Sequence, residues 1–142
     1  MSINIYLFND YMNKFAKRIL NAGKFKRNAL VVGTGLGYIE QLADSLNTVF
    51  VIDNPDRHIR RKNIVYKNDF TGVSTLSEID FIFIDYDQYG NLEKLHTIFS
   101  NNRAVIFVQG EVSWPIREYK YLRSLGYSHV ENNFGMQKWI PS

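Results

Sequence analysis

The sequence predicts an α/β domain built on a mostly parallel, twisted sheet of about seven strands, the last one antiparallel, with helices on both faces. Three observations carry this. Short, continuous apolar runs recur along the chain, "ALVV", "TVFVI", "FIFI" and "AVIFV" among them, and each ends at a glycine, aspartate or glutamine. That is the pattern of strands buried on both faces. Segments of helical periodicity or short connectors separate the runs. The tail "SHVENNFGMQKWIPS" divides at Asn133 to Gly135 into two alternating segments, a closing hairpin.

In chain order, Phe8 to Leu20 places Phe8, Met12, Phe15, Ala16, Ile19 and Leu20 on one helical stripe, closed by Asn21-Ala22-Gly23. Residues 1–27 are therefore expected to form an N-terminal helical extension to a single domain whose α/β core spans 28–142. Asn28 to Gly33 is the first strand. Tyr38 to Asn47 is a helix with Ile39, Leu42, Ala43 and Leu46 on one face, and Thr48 to Asp53 is the second strand. Asn63 to Asn68 and Ile79 to Asp85 are the third and fourth, joined by "DFTGVSTLSE", too short for much helix. "YGNLEKLHTIFSN" is a helical candidate and Arg103 to Gly110 the fifth strand. Ser113 to Gly126 is a helix with proline in its first turn and glycine past its end.

Composition narrows the function classes. The 142 residues argue for one domain, and an apolar share of 45% with 22% charged residues is ordinary for a folded soluble protein. No apolar run approaches the roughly 18 residues that cross a bilayer. "MSINIYLFNDYMNKF" has no basic n-region or small-residue cleavage site, so a cytoplasmic protein without membrane partners is expected. The absence of cysteine excludes disulfides, thiolate metal sites and cysteine nucleophiles. The net charge of +3 concentrates at Lys17 to Arg27 and Asp56 to Lys67. Both runs are read first as a solvated helix face and a loop. Nucleic acid stays among the partner classes on their account alone.

The stretch "LVVGTGLGYIEQLADSLNTVFVIDN" is the informative one. Gly33 lets the chain turn out of the first strand, Gly35 lets a ligand lie against backbone, and Gly37 lets the next helix pack on the sheet. The spacing is G-x-G-x-G, with Tyr38 where a dinucleotide fingerprint carries glycine or alanine, which disfavours a diphosphate. Asp53 ends the adjacent strand, where a carboxylate can accept two hydrogen bonds from a ribose diol. Asp69 is placed to contact an adenine amino group and Phe70 to cover the ring. Aspartates also cap helices and open turns at strand ends. It is the conjunction of the glycine turn with Asp53, Asp69 and Asp85, each at a strand's carboxyl end, that points to an adenosyl cofactor.

These residues resemble a known family. "ALVVGTGLGYIEQLA…TVFVID" is similar to the first two motifs of class I S-adenosylmethionine-dependent methyltransferases. "IDFIFIDYDQYGNLEKL" and "RAVIFVQGEVSW" are similar to their fourth and fifth strand regions, so the likeness runs from Asn28 to the C-terminus. The nearest flavour is the catechol and caffeoyl-CoA type of O-methyltransferase, with spermidine-synthase relatives sharing the layout. The resemblance implies a Rossmann-like methyltransferase fold that binds S-adenosylmethionine. Gly33, Gly35 and Gly37 would line its methionine part, Asp53 would hold its ribose and Asp69 with Phe70 its adenine, with Thr34 and Asn54 also among the cofactor-binding residues. Asp85 would face the sulfonium and position the reactants, and Glu111 would serve as base.

The departures shape the functional expectation. Metal-dependent members of that group ligate a divalent cation with the aspartate after the fourth strand and an aspartate-asparagine pair after the fifth; here Gln109 and Gly110 stand at the pair, followed by Glu111. No metal is expected. The chain lacks the insertions that build a substrate lid, so a second copy or a partner protein is expected to complete the substrate site. The leading expectation is methyl transfer to an acceptor that the sequence does not name, with a small molecule or a partner protein as the partner classes. The alternatives are a methyltransferase-fold subunit with limited catalysis and an aminopropyltransferase, although the latter's G-G-G-D-G turn is absent. "DYDQY" is not the D/N-P-P-Y motif of enzymes that methylate nucleic-acid amino groups. His58, His96 and His129 have no metal-ligand spacing, and no G-x-S-x-G elbow supports a hydrolase.

Overall fold

A computed structural model describes residues 28–33, 39–52, 59–67, 78–86, 92–109, 116–133 and 136–141. The expected helix at Phe8 to Leu20 and the 69–78 connector, save Glu78, lie outside them. The strands are β1 (Asn28–Val32), β2 (Thr48–Ile52), β3 (Ile64–Lys67), β4 (Ile79–Asp85), β5 (Val105–Gln109), β6 (Tyr127–Asn133) and β7 (Met136–Pro141). The helices are α1 (Ile39–Ser45), α2 (His96–Asn101) and α3 (Ile116–Ser124), with a 3-10 turn at Leu92–Leu95 leading into α2. All seven strands form one sheet in the order β3-β2-β1-β4-β5-β7-β6. β1 to β5 pair in parallel, and β7 runs antiparallel to both β5 and β6. The fold class is the one expected, down to the antiparallel last strand.

Alternation along the strands divides the core between the two faces of the sheet. On one face Ala29, Val31, Val49, Val51, Phe81, Phe83 and Phe107 pack under Ile39, Leu42 and Ala43 of α1 and Leu46 just past its end. The Phe83 and Phe107 rings stack with centroids 4.9 Å apart. On the other face Leu30, Val32, Ile52, Ile82, Ile84, Ile106 and Val108 meet Leu92, Leu95, Ile98, Leu122 and Trp139. Burial on both faces explains why these strands read as unbroken apolar runs rather than as alternating ones. Edge strand β6 carries an irregularity between His129 and Glu131, and the extra residue, Val130, is exposed. A bulge of this kind spoils the edge as a template for further pairing.

The single helix expected over Tyr89 to Asn101 is replaced, over its described part, by the 3-10 turn and a six-residue helix. Leu92 and Leu95, three apart, are both fully buried, a spacing that matches three residues per turn. Two polar side chains tie the elements together. Asn102 accepts from the Ile79 amide (2.9 Å) and donates to the Ile98 carbonyl (3.0 Å), joining the end of α2 to the start of β4. Asn63 donates to the Ala43 and Leu46 carbonyls, satisfying groups that the end of α1 leaves open. No helix among the described residues is long and apolar enough to cross a membrane.

Candidate functional site

The chain leaves β1 to build β2 and β3 on one side, then returns to build β4 and β5 on the other. The carboxyl ends of β1 and β4 therefore flank the topological switch point, where sheets of this kind open a ligand crevice. Two residues predicted from sequence stand there. Gly33 follows Val32, which is in register with Ile84, and Asp85 follows Ile84. A Cβ built on Gly33 would lie 2.7 Å from the Cβ of Asp85, closer than packed carbons approach. Gly33 also has φ +106°, a backbone conformation that strains any other residue. Its amide still donates to the Ile52 carbonyl at 3.1 Å, so the β1–β2 ladder runs to the turn itself. Glycine is required here twice over, by dihedral and by space.

Asp85 is buried, at 7% exposure, and is in register with Gln109 at the end of β5. By alternation Gly33, Asp85 and Gln109 share the α1 face of the sheet and form a row across three adjacent strand ends. Gln109 Oε1 is buried and accepts no hydrogen bond. Sequence reasoning noted Gln109 only as a departure from a metal-ligand pair. One amide at a strand end has no periodic signal, and its unsatisfied oxygen emerges only from the packing. Thr34, Gly35, Gly37, Asp53, Asn54, Asp69, Phe70 and Glu111 lie outside the described residues, as does His58.

The other face of the same strand end is held by a buried ionic knot. Glu118 of α3 is fully buried, and one carboxylate oxygen accepts from the Leu92 amide at 3.1 Å. The other accepts from Arg117 Nε at 3.0 Å. Both oxygens of the buried carboxylate are thus engaged, as burial of a charge demands. Tyr86, next to Asp85 in the chain, has its phenol pushed up by burial and then by the Glu118 carboxylate, with Arg117 pulling the other way. These contacts fix the chain on either side of the β4 end.

The basic run after β2 is partly accounted for. Arg61 bonds Glu40 at 2.7 Å and also pairs with Asp44, which staples the run to α1. His96 is helical as expected and bonds Tyr121 Oη at 2.8 Å and Ser100 Oγ at 3.3 Å, away from the carboxyl row. His129 lies in β6, its ring 5.0 Å from that of Trp139.

Tyr121 also sets a stability limit at high pH. Burial first, then the Glu93 and Glu118 carboxylates, pushes its phenol up to about 12. The folded state favours the protonated phenol, so the unfolded chain loses this proton first. The associated stability is present below the ordinary value of about 10 and is lost as pH rises from there toward 12. Melting temperature is expected to fall across that window, and to fall less steeply in Tyr121→Phe. Equal slopes for the two proteins would show that Tyr121 does not carry the effect.

No protein-family model and no curated protein sequence matches the chain. Its structure is similar to that of a methyltransferase from Geobacter sulfurreducens, with a TM-score of 0.65 and 18% identity over 90% of this chain and 79% of that one. It is similar also to the magnesium protoporphyrin IX methyltransferase ChlM of Synechocystis PCC 6803, solved with bound S-adenosylmethionine (TM-score 0.64, 11% identity, 100% and 86% covered). A third is the N-methyltransferase NodS of Bradyrhizobium japonicum WM9 (TM-score 0.60, 14% identity, 99% and 100% covered). With the strand order 3-2-1-4-5-7-6 and an antiparallel β7, the chain has the class I methyltransferase fold.

Proposed function

We propose that the protein binds S-adenosylmethionine at the carboxyl ends of β1 and β4 and transfers its methyl group to an acceptor. The observation that carries this is the close approach of Gly33 to Asp85 at the switch point: a turn kept free of side chain, against a buried carboxylate. The residues present fit the group. A sulfonium and an α-ammonium are both cationic, and the row offers a buried carboxylate, Asp85, to face them. Gly33, with φ +106°, turns the chain sharply out of β1 at this edge. Similarity to a structure solved with this cofactor bound supports the same reading.

The cofactor, when bound, supplies an electrophilic methyl carbon on sulfur for in-line displacement. The protein's share is then mostly placement. Gly33, with Thr34, Gly35 and Gly37, would hold the amino-acid portion, Asp53 and Asn54 the ribose, and Asp69 and Phe70 the adenine. Asp85 would orient the nucleophile and Glu111 take its proton. No metal is assigned a part. The acceptor is proposed to be a small molecule, with a second copy or a partner protein completing the pocket.

Calorimetric titration with S-adenosylmethionine and S-adenosylhomocysteine tests the binding. One site per chain in the micromolar range is expected. Absence of heat at millimolar ligand, with no change in melting temperature, would overturn the proposal.

A further inference from the structure

We infer that Gln109 is a substrate-holding residue, and that with Asp85 it selects a primary amine as the methyl acceptor. This rests on the methyl-transfer reading above.

The argument starts from an unmet hydrogen bond. Buried polar atoms in folded proteins nearly always have partners, and one that lacks them in the protein itself calls for a partner from outside it. Gln109 Oε1 is such an atom. It stands on the last residue of β5, in register with Asp85 on the last residue of β4. Adjacent strands lie about 4.8 Å apart, so the two side chains leave the same face as neighbours. Both the carboxylate and the amide oxygen accept hydrogen bonds. What they can hold in common is a group with at least two donors on one atom.

A hydroxyl has one donor and satisfies one of them. A carboxylate has none and would be repelled by Asp85. A primary amino group has two N–H donors, one for each oxygen, and when neutral keeps a lone pair for the sulfonium methyl. The nitrogen lone pair forms the N–C bond as the C–S bond breaks, its electron pair leaving on sulfur. The methylated ammonium, paired with the Asp85 carboxylate while it is held, gives up its surplus proton to water on release. No divalent cation is needed at this pair of strand ends: the residue beside Asp85 is an amide, a poor ligand for a hard cation compared with a carboxylate.

The test uses matched probes on the whole protein, with and without S-adenosylhomocysteine: benzylamine against benzyl alcohol, and putrescine against 1,4-butanediol. The amines are expected to raise the melting temperature of the wild type by several degrees at ten millimolar, and the alcohols to have no effect. Gln109→Leu should abolish the difference, Gln109→Glu should retain it, and both variants should bind S-adenosylhomocysteine within about threefold of wild type. Gln109→Leu without ligand should melt no lower than wild type, since it removes an unsatisfied oxygen. Methyl transfer from labelled S-adenosylmethionine should favour amines, with kcat/KM lowered at least tenfold by Gln109→Leu. Alcohols binding as well as amines, no effect of amines at all, or an undiminished amine effect in Gln109→Leu would each overturn the inference. Failure of the wild type to bind S-adenosylhomocysteine would overturn the reading it rests on, and the probes on free protein would still decide the amine preference.

Discussion

Replacing Gly33 with alanine is expected to lower stability by about 3 kcal/mol and to weaken S-adenosylhomocysteine binding at least tenfold. Two costs combine. A side chain at φ +106° is strained, a cost of about 1–3 kcal/mol. The new methyl would also sit 2.7 Å from Asp85 Cβ, so either the end of β1 or the end of β4 must move. Neither moves freely, because Gly33 is bonded to Ile52 and Asp85 is locked into the β4–β5 register. Displacement at this point spoils the surface offered to the cofactor. Gly126→Ala is the matching control. Gly126 also has positive φ, +86°, but precedes β6 at the opposite edge of the sheet. It should lose about 1 kcal/mol and leave binding unchanged. Urea unfolding and calorimetry of the two variants separate strain from site damage. Equal binding losses in both would remove Gly33 from the site.

Trp139→Ala is expected to cost about 3–5 kcal/mol, the largest loss from any single truncation in the described core. Trp139 is fully buried and the bulkiest of the side chains that are. It sits in β7 opposite Ile106 of β5 and His129 of β6. Its indole donates to Gln137 Oε1 at 3.0 Å, and Gln137 donates to Tyr119 Oη at 2.8 Å. Its ring also meets that of Tyr119, centroids 5.8 Å apart. Truncation therefore opens a cavity and orphans an amide together, where α3 docks on the closing hairpin. For a domain of this size the melting temperature should fall by about 10 °C or more. A drop of under 3 °C would mean that the hairpin is not integral to the core.

The sheet was legible because fully buried strands leave a coarse signal. "FIFI" and "VIFV" can be little else when aspartate or glutamine ends each run, and Ile79–Asp85 matches its expected bounds residue for residue. Helix bounds were less legible. The turn at Leu92–Leu95 obeys a three-residue spacing that an amphipathic helix also shows over so short a stretch, and only packing separates the two. The site was legible where backbone demands one residue type, as at Gly33, or where a charge interrupts an apolar run, as at Asp85. Gln109, Glu118 and Asn102 gave no such sign. A buried glutamate in "REYKYLRS" looks like one more charge on a solvated helix until α3 is laid against Leu92. Asn102 looks like a loop residue until its side chain is seen closing α2 and starting β4. Partners brought together across 23 or 26 positions leave no local pattern to read.

The most direct test of the account is a crystal structure of the protein with S-adenosylhomocysteine. The predicted result is ligand at the carboxyl edge, its amino-acid portion along the Gly33 turn and its sulfur on the side of Asp85 and Gln109. Ligand bound elsewhere on the protein, or none at saturating concentration in solution and in the crystal alike, would contradict it.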